Sequence, residues 1–154
     1  MKHIINDPFA LEARRTTIYP GALANGFDKR ARRALTDALG LTQFGVNLTT
    51  LDPGGMTSLR HWHVKEDECV YIVSGEAWLV TGDGETLLTA GMAAGFPAGA
   101  ANGHHLINRS SAAATILEIG TRSADEDVTY PDADLKLMRV AGENRMTRKT
   151  GERY

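Results

Sequence analysis

The chain has 154 residues, 42% of them hydrophobic and 23% charged, enough for one domain with its own core and too few for a multidomain assembly. Seventeen Lys and Arg against nineteen Asp and Glu give a formal charge of -2, which excludes the broad positive field of a sequence-independent nucleic-acid binder. No segment reaches the roughly 18 consecutive apolar residues of a membrane-spanning helix, so neither nucleic acid nor membrane is an expected partner.

The opening MKHIINDPFALEARR holds no continuous apolar stretch of signal-peptide length, and the single cysteine, Cys69, cannot close an internal disulfide. Both fit a cytoplasmic protein. From Asp28 to Gly40, residues Ala31, Ala34, Leu35, Ala38 and Leu39 recur at helical spacing, with Asp28 as a possible N-cap and Gly40 just past the end. This predicts one amphipathic helix, with a first strand and a turn as the competing reading. The basic residues Lys29, Arg30, Arg32 and Arg33 read as its solvated face. Without a partner helix, a helix-turn-helix regulator is not expected.

Short apolar runs then follow one another between turn signals such as Asp52-Pro53-Gly54-Gly55, Ser74-Gly75 and Gly82-Asp83-Gly84. They cover Gln43 to Leu51, Ser58 to His63, Glu68 to Val73, Ala77 to Thr81, Met92 to Pro97, His104 to Asn108 and Ala112 to Ile119. Strands without intervening helices predict an all-β sandwich or barrel. After Thr121 the chain turns polar and reads as a C-terminal arm with a possible closing strand. The expected division is an N-terminal arm over 1–41, a barrel core over 42–120 and a C-terminal arm over 121–154 that packs on the barrel or on a dimer partner.

Two histidines one residue apart on a strand, His61 and His63, point to one face, because side chains alternate with period two, and together they make half a metal site. The next strand runs back antiparallel, so a carboxylate at its start lies beside them. Glu68 shares the parity of Val70 and Ile72, whereas Glu66 and Asp67 fall in the turn. A later strand start offers His104, which shares parity with Asn108, while His105 points to the other face and is the alternative donor. Three imidazoles and one carboxylate leave about two positions of an octahedron open.

These residues resemble the cupin superfamily. Its first motif, G-x5-H-x-H-x4-E-x6-G, is matched at Gly55, His61, His63, Glu68 and Gly75, and its second, G-x5-P-x-G-x2-H-x3-N, at Gly91, Pro97, Gly99, His104 and Asn108. The loop between Gly99 and His104 has four residues where the motif has two. Phe96-Pro-Ala-Gly, Asn102-Gly-His-His and Leu117-Glu-Ile-Gly look like a group of small single-domain bacterial cupins of sugar-phosphate-isomerase-like type. The resemblance implies a double-stranded β-helix jelly roll, commonly a homodimer, holding one divalent ion per chain (Zn, Fe, Mn or Ni) on His61, His63, Glu68 and His104.

Other residues have plainer expectations. Trp62, Cys69 and Tyr71 have the parity opposite to the ligands and should pack outside, with Cys69 an ordinary buried thiol and no nucleophile. Arg60 shares that parity, which weakens it as a substrate anchor. Trp78 reads as core, and Asn108 as a group that satisfies backbone. Glu118, among Ile116, Leu117 and Ile119, asks for a partner if buried and is the candidate catalytic acid or base. The functional expectation is a metal-dependent enzyme on a small polar metabolite, isomerase-like. The alternatives are Fe(II)-dependent oxygenation and a non-catalytic small-molecule binding protein.

Overall fold

A computed structural model describes residues 4–154 as an antiparallel, all-β jelly-roll barrel. Its strands are β1 (Arg30–Ala34), β2 (Phe44–Leu51), β3 (Trp62–His63), β4 (Glu68–Ser74), β5 (Glu76–Thr81), β6 (Gly84–Thr89), β7 (Ala93–Phe96), β8 (His105–Ile107), β9 (Ala114–Thr121), β10 (Glu126–Thr129), β11 (Lys136–Val140) and β12 (Glu143–Thr147). They form a five-stranded sheet in the order β1-β2-β9-β4-β7, a four-stranded sheet β12-β11-β10-β3 and a three-stranded sheet β6-β5-β8. Among the described residues no helix is long and apolar enough to cross a membrane.

The β4–β5 hairpin turns at Gly75, whose φ of +73° suits glycine, and a Cβ there would lie 2.8 Å from the Ala113 carbonyl oxygen. Across the large sheet the register aligns Leu51 with Ala114, Thr49 with Ile116 and Ile72, Asn47 with Glu118 and Val70, and Gly45 with Gly120 and Glu68. These rows share one face. Their apolar end, with Leu51, Val70, Ile72 and Ile116, packs against Ala77, Leu88 and Leu106 into the main core. A second core joins Val128, Tyr130, Leu135 and Leu137 of the C-terminal region, backed by Tyr19, Leu23 and Leu59.

The helix expected over 28–40 is corrected: Arg30–Ala34 is strand β1, and only Leu35–Leu39 is helical, as α1, closed by Gly40 at φ 74°. The alanine spacing imitates a helix, but β1 gains a full ladder with β2 that pairs Arg30 with Leu51 and Arg32 with Thr49. Tertiary pairing outweighs a weak local preference here. That register also overturns the solvated basic face, because Arg30 is only 4% exposed and Arg32 is ion-paired inside. Strand β6 was not expected from the sequence. The run expected from Ser58 to His63 is strand only at Trp62–His63.

Candidate functional site

The polar end of the same strands opens into a cavity of about 590 Å³. His61 and His104 meet there because their main chains pair directly: His61 N donates to His104 O (3.1 Å) and His104 N to His61 O (2.8 Å). Directly opposed residues of an antiparallel pair put their side chains on one side, and the two rings stand 4.9 Å apart. His63, two residues on, keeps that side and is fixed by its pairing with Val128 of β10. Glu68 opens β4 in the row of Gly120, where a Cβ would come within 3.6 Å of Glu68 Cγ.

Three of the four expected donors, His61, Glu68 and His104, group tightly, and His63 reaches them through Glu68 while also grouping with Glu66 and Glu126. Glu68 Oε2 lies 2.8 Å from His104 Nε2 and 3.3 Å from both His61 Nε2 and His63 Nε2. Donor atoms of His61, Glu68 and His104 are all within 4.8 Å of one another. Burial pushes the Glu68 carboxyl up, but the hydrogen bonds from His104, His61 and His63 outweigh it and hold the group well below the usual carboxylate range. Burial lowers His104 further than Glu68 raises it. For His63, burial is outweighed by Glu68, Glu66 and Glu126, and its pKa is raised.

The surroundings orient the donors. The Leu59 carbonyl oxygen accepts from His61 Nδ1–H at 2.9 Å, which turns Nε2 toward Glu68. The His104 ring is stacked on Phe96 at 3.5 Å. Behind His63, Nδ1 is buried without a hydrogen-bond partner, 3.6 Å from Glu66 Oε2 and 3.9 Å from Glu126 Oε2. Glu126 Oε1 accepts from the amides of Val64, Lys65 and Asp127, and Glu66 Oε1 from Arg139 and Ser123 N. Three imidazoles and a carboxylate, two of them buried and two half-buried, gathered around one carboxylate oxygen, fit a divalent ion by the chemistry of their donors.

The other expected residues are placed plainly. Asp67 lies away from the cluster, accepting from Ala98 N across the second motif's corner. His105 Nδ1 lies 2.9 Å from the Ser58 carbonyl oxygen, on the other face. Asn108 donates to the carbonyls of Leu51 and Ala112. Arg60 is clamped on Asp132, and Tyr71 is exposed on the outside of the sheet. Cys69 is half-buried, and so is Trp78, which lies beneath the Arg109 guanidinium.

Glu118 lines the cavity and finds its partner in Arg32, at 2.7 Å, with the Thr49 hydroxyl also donating to it. Sequence reasoning missed Arg14, Arg30, Arg32, Tyr19 and Tyr130 as cavity residues. The parity of Arg30 and Arg32 was readable only once β1 was known to be a strand. Tyr130 stacks on His61 at 5.9 Å, and burial first, then Tyr19 and Glu68, pushes its hydroxyl far up.

Residues 47–120 match the family described as a cupin domain. The fold is similar to a solved sugar phosphate isomerase of the cupin superfamily from Silicibacter pomeroyi, with a TM-score of 0.91 and 42% identity over 96% of this chain and 94% of that one. It is also similar to a putative sugar phosphate isomerase from Acidithiobacillus ferrooxidans, with a TM-score of 0.74 and 30% identity over 81% of this chain and 80% of that one. A polyketide cyclase from Streptomyces resistomycificus, 22% identical with a TM-score of 0.61 over 79% of each chain, shares the fold alone. Among curated proteins no match to the sequence is found. With both motifs turned to one interior point and such likeness along nearly its whole length, the chain belongs to the cupin superfamily.

Proposed function

We propose that His61, His63, Glu68 and His104 hold one divalent ion and that the cavity around them isomerises a small polar metabolite of the aldose-ketose type. The observation that carries this reading is the meeting of three imidazole Nε2 atoms around one carboxylate oxygen in a cavity large enough for a metabolite. Similarity to sugar phosphate isomerases supports the reaction class. When bound, the ion supplies Lewis-acid polarisation of a substrate oxygen.

The chain's own residues do the rest. Glu118 is the group that takes the proton from one carbon and returns it to its neighbour, with Arg32 and Thr49 fixing its two oxygens. The apolar core packs beneath the cavity at the other end of the same strands.

Elemental analysis of the purified protein should find about one divalent ion per chain, as the four donors of a single site require. Negligible metal after incubation with Fe(II), Mn(II), Ni(II) and Zn(II) would overturn the reading. In deuterated water, aldose and ketose phosphates should exchange the hydrogen next to the carbonyl, and a chelator should abolish this. Glu118→Gln should slow the exchange by about a hundred- to ten-thousandfold with metal retained, in the range of a lost general base. Oxygen uptake without exchange would assign the site to oxygenation instead.

A further inference from the structure

The cavity that His61 and His63 line also has Arg14, Arg30 and Arg32 in its wall, where positive charge exceeds the carboxylates paired with it. Arg14 and Arg32 are directly opposed, since Arg14 N donates to Arg32 O (2.8 Å) and Arg32 N to Arg14 O (3.0 Å). Their side chains therefore leave the backbone on the same side, and like charges so placed repel. Arg30 shares the inward parity of Arg32 along β1. Among the described residues only one carboxylate, Glu118, is ion-paired with this group, and Arg32 takes it with both Nε and a terminal nitrogen.

The other cavity arginines are already matched, Arg139 with Glu66 and Arg122 with Asp37. Arg14 and Arg30 make no ion pair among the described residues. Arg30 is 4% exposed, its terminal nitrogens donate only to the carbonyls of Thr57 and Thr16, and its Nε is buried with no partner. Burial and the neighbouring Arg32 push its pKa down to about 10. A buried guanidinium that meets only carbonyls and the Phe27 ring is a costly arrangement that an anion relieves, and the exposed Arg14 beside it adds a second positive charge without a carboxylate.

We infer that this wall is an anion subsite, in which Arg14 and Arg30, beside Arg32, seat the acidic group, phosphate or carboxylate, of the small molecule that enters the barrel. The inference deepens the isomerase reading by naming the chemistry of its substrate, and it rests on that reading only for the molecule's identity. Arginine suits the task because its planar fork matches both acid groups. All three residues lie outside the matched cupin domain of 47–120.

The test uses the full chain stripped of metal, titrated calorimetrically with inorganic phosphate and, in a separate arm, acetate. Saturable binding of at least one anion at one site per chain is expected, and tighter phosphate binding would point to a phosphate ester, tighter acetate binding to a carboxylate. In Arg14→Gln, an exposed position where folding is safe, affinity should fall about tenfold or more, the size of a lost charge-assisted hydrogen bond. Arg30→Met should do the same, provided its circular dichroism is unchanged. Arg109→Gln, which breaks an exposed pair with Glu85 away from the cavity, should bind as the parent does.

No saturable binding of either anion, or undiminished affinity in Arg14→Gln, would overturn the subsite. Metal content measured on the same preparation before stripping, and again after reloading with Zn(II) or Mn(II), separates the two readings. A chain that holds metal but no anion defeats the subsite alone, and one that binds anion but never metal defeats the isomerase while supporting the subsite.

Discussion

The two ends of the barrel are built from the same three strands and yet do opposite work. On β4, Ile72 is wholly buried in apolar contacts, and four residues earlier Glu68 sits among three histidines. On β9, Ile116 and Glu118 are separated by a single residue. On β2, Leu51 closes the core while Asn47 lines the cavity. The period of two keeps all of them facing inward, so position along the strand alone decides between packing and chemistry. The apolar end is where stability should reside, and the polar end can then be altered without unfolding the barrel.

Three measurements break or sharpen that contrast. The largest effect belongs to the apolar end: Ile72→Ala should lower the unfolding free energy by about 2–5 kcal/mol, the usual result of emptying a packed aliphatic site. Urea denaturation measures it, and the folded variant should still take up metal. A variant that folds but takes up no metal would show that the two ends are not separable.

His61→Ala should act the other way round. Metal affinity is expected to drop by about a hundredfold or more, since even residues that merely orient a ligand contribute ten- to hundredfold. The circular dichroism spectrum should stay that of the parent. Collapse of the fold in this variant would make the histidine cluster part of the core after all.

The smallest effect is a pH trend in metal-free protein. Glu68 has a folded pKa below its ordinary value of 4.5. Its contribution is thus present in full above about 4.5 and is lost as pH falls through the lower folded value. The stability gap between the parent and Glu68→Gln should accordingly narrow as denaturation is repeated from pH 6 toward pH 3. A gap that stays constant would mean that the three imidazoles do not favour the charged carboxylate.

What could be read in the sequence was what fixed spacing enforces. His61 and His63 share a face by parity, Glu68 follows one tight turn, and Pro97 and Gly99 make the corner that brings the chain back, with Gly99 N donating to His63 O at 2.8 Å. The direct pairing of His61 with His104, which brings the motifs together, is a long-range contact that spacing leaves open. Strand β6 was hidden because Glu85 and Thr86 follow a turn signal and leave only Leu87 and Leu88 as an apolar run. Strand β1 was only the competing reading for the opposite reason, because its alanines suit a helix and its inward positions carry arginines. An apolar interior would have shown alternation there, and a charged cavity erased it.

The C-terminal region was expected as an arm with at most a closing strand, but it forms three strands, and β10 lies against β3. Val128 pairs with His63, and the wholly buried Glu126 carboxylate gathers the amides of Val64 and Lys65 just beyond it. The stretch that carries both sequence motifs is therefore not a portable unit. Cut away after residue 121, it would leave the His63 strand as a bare edge with unmet amides, open to pairing with any other exposed strand. Anyone grafting these motifs onto another barrel would have to carry over a tail of about thirty residues in which no motif residue occurs.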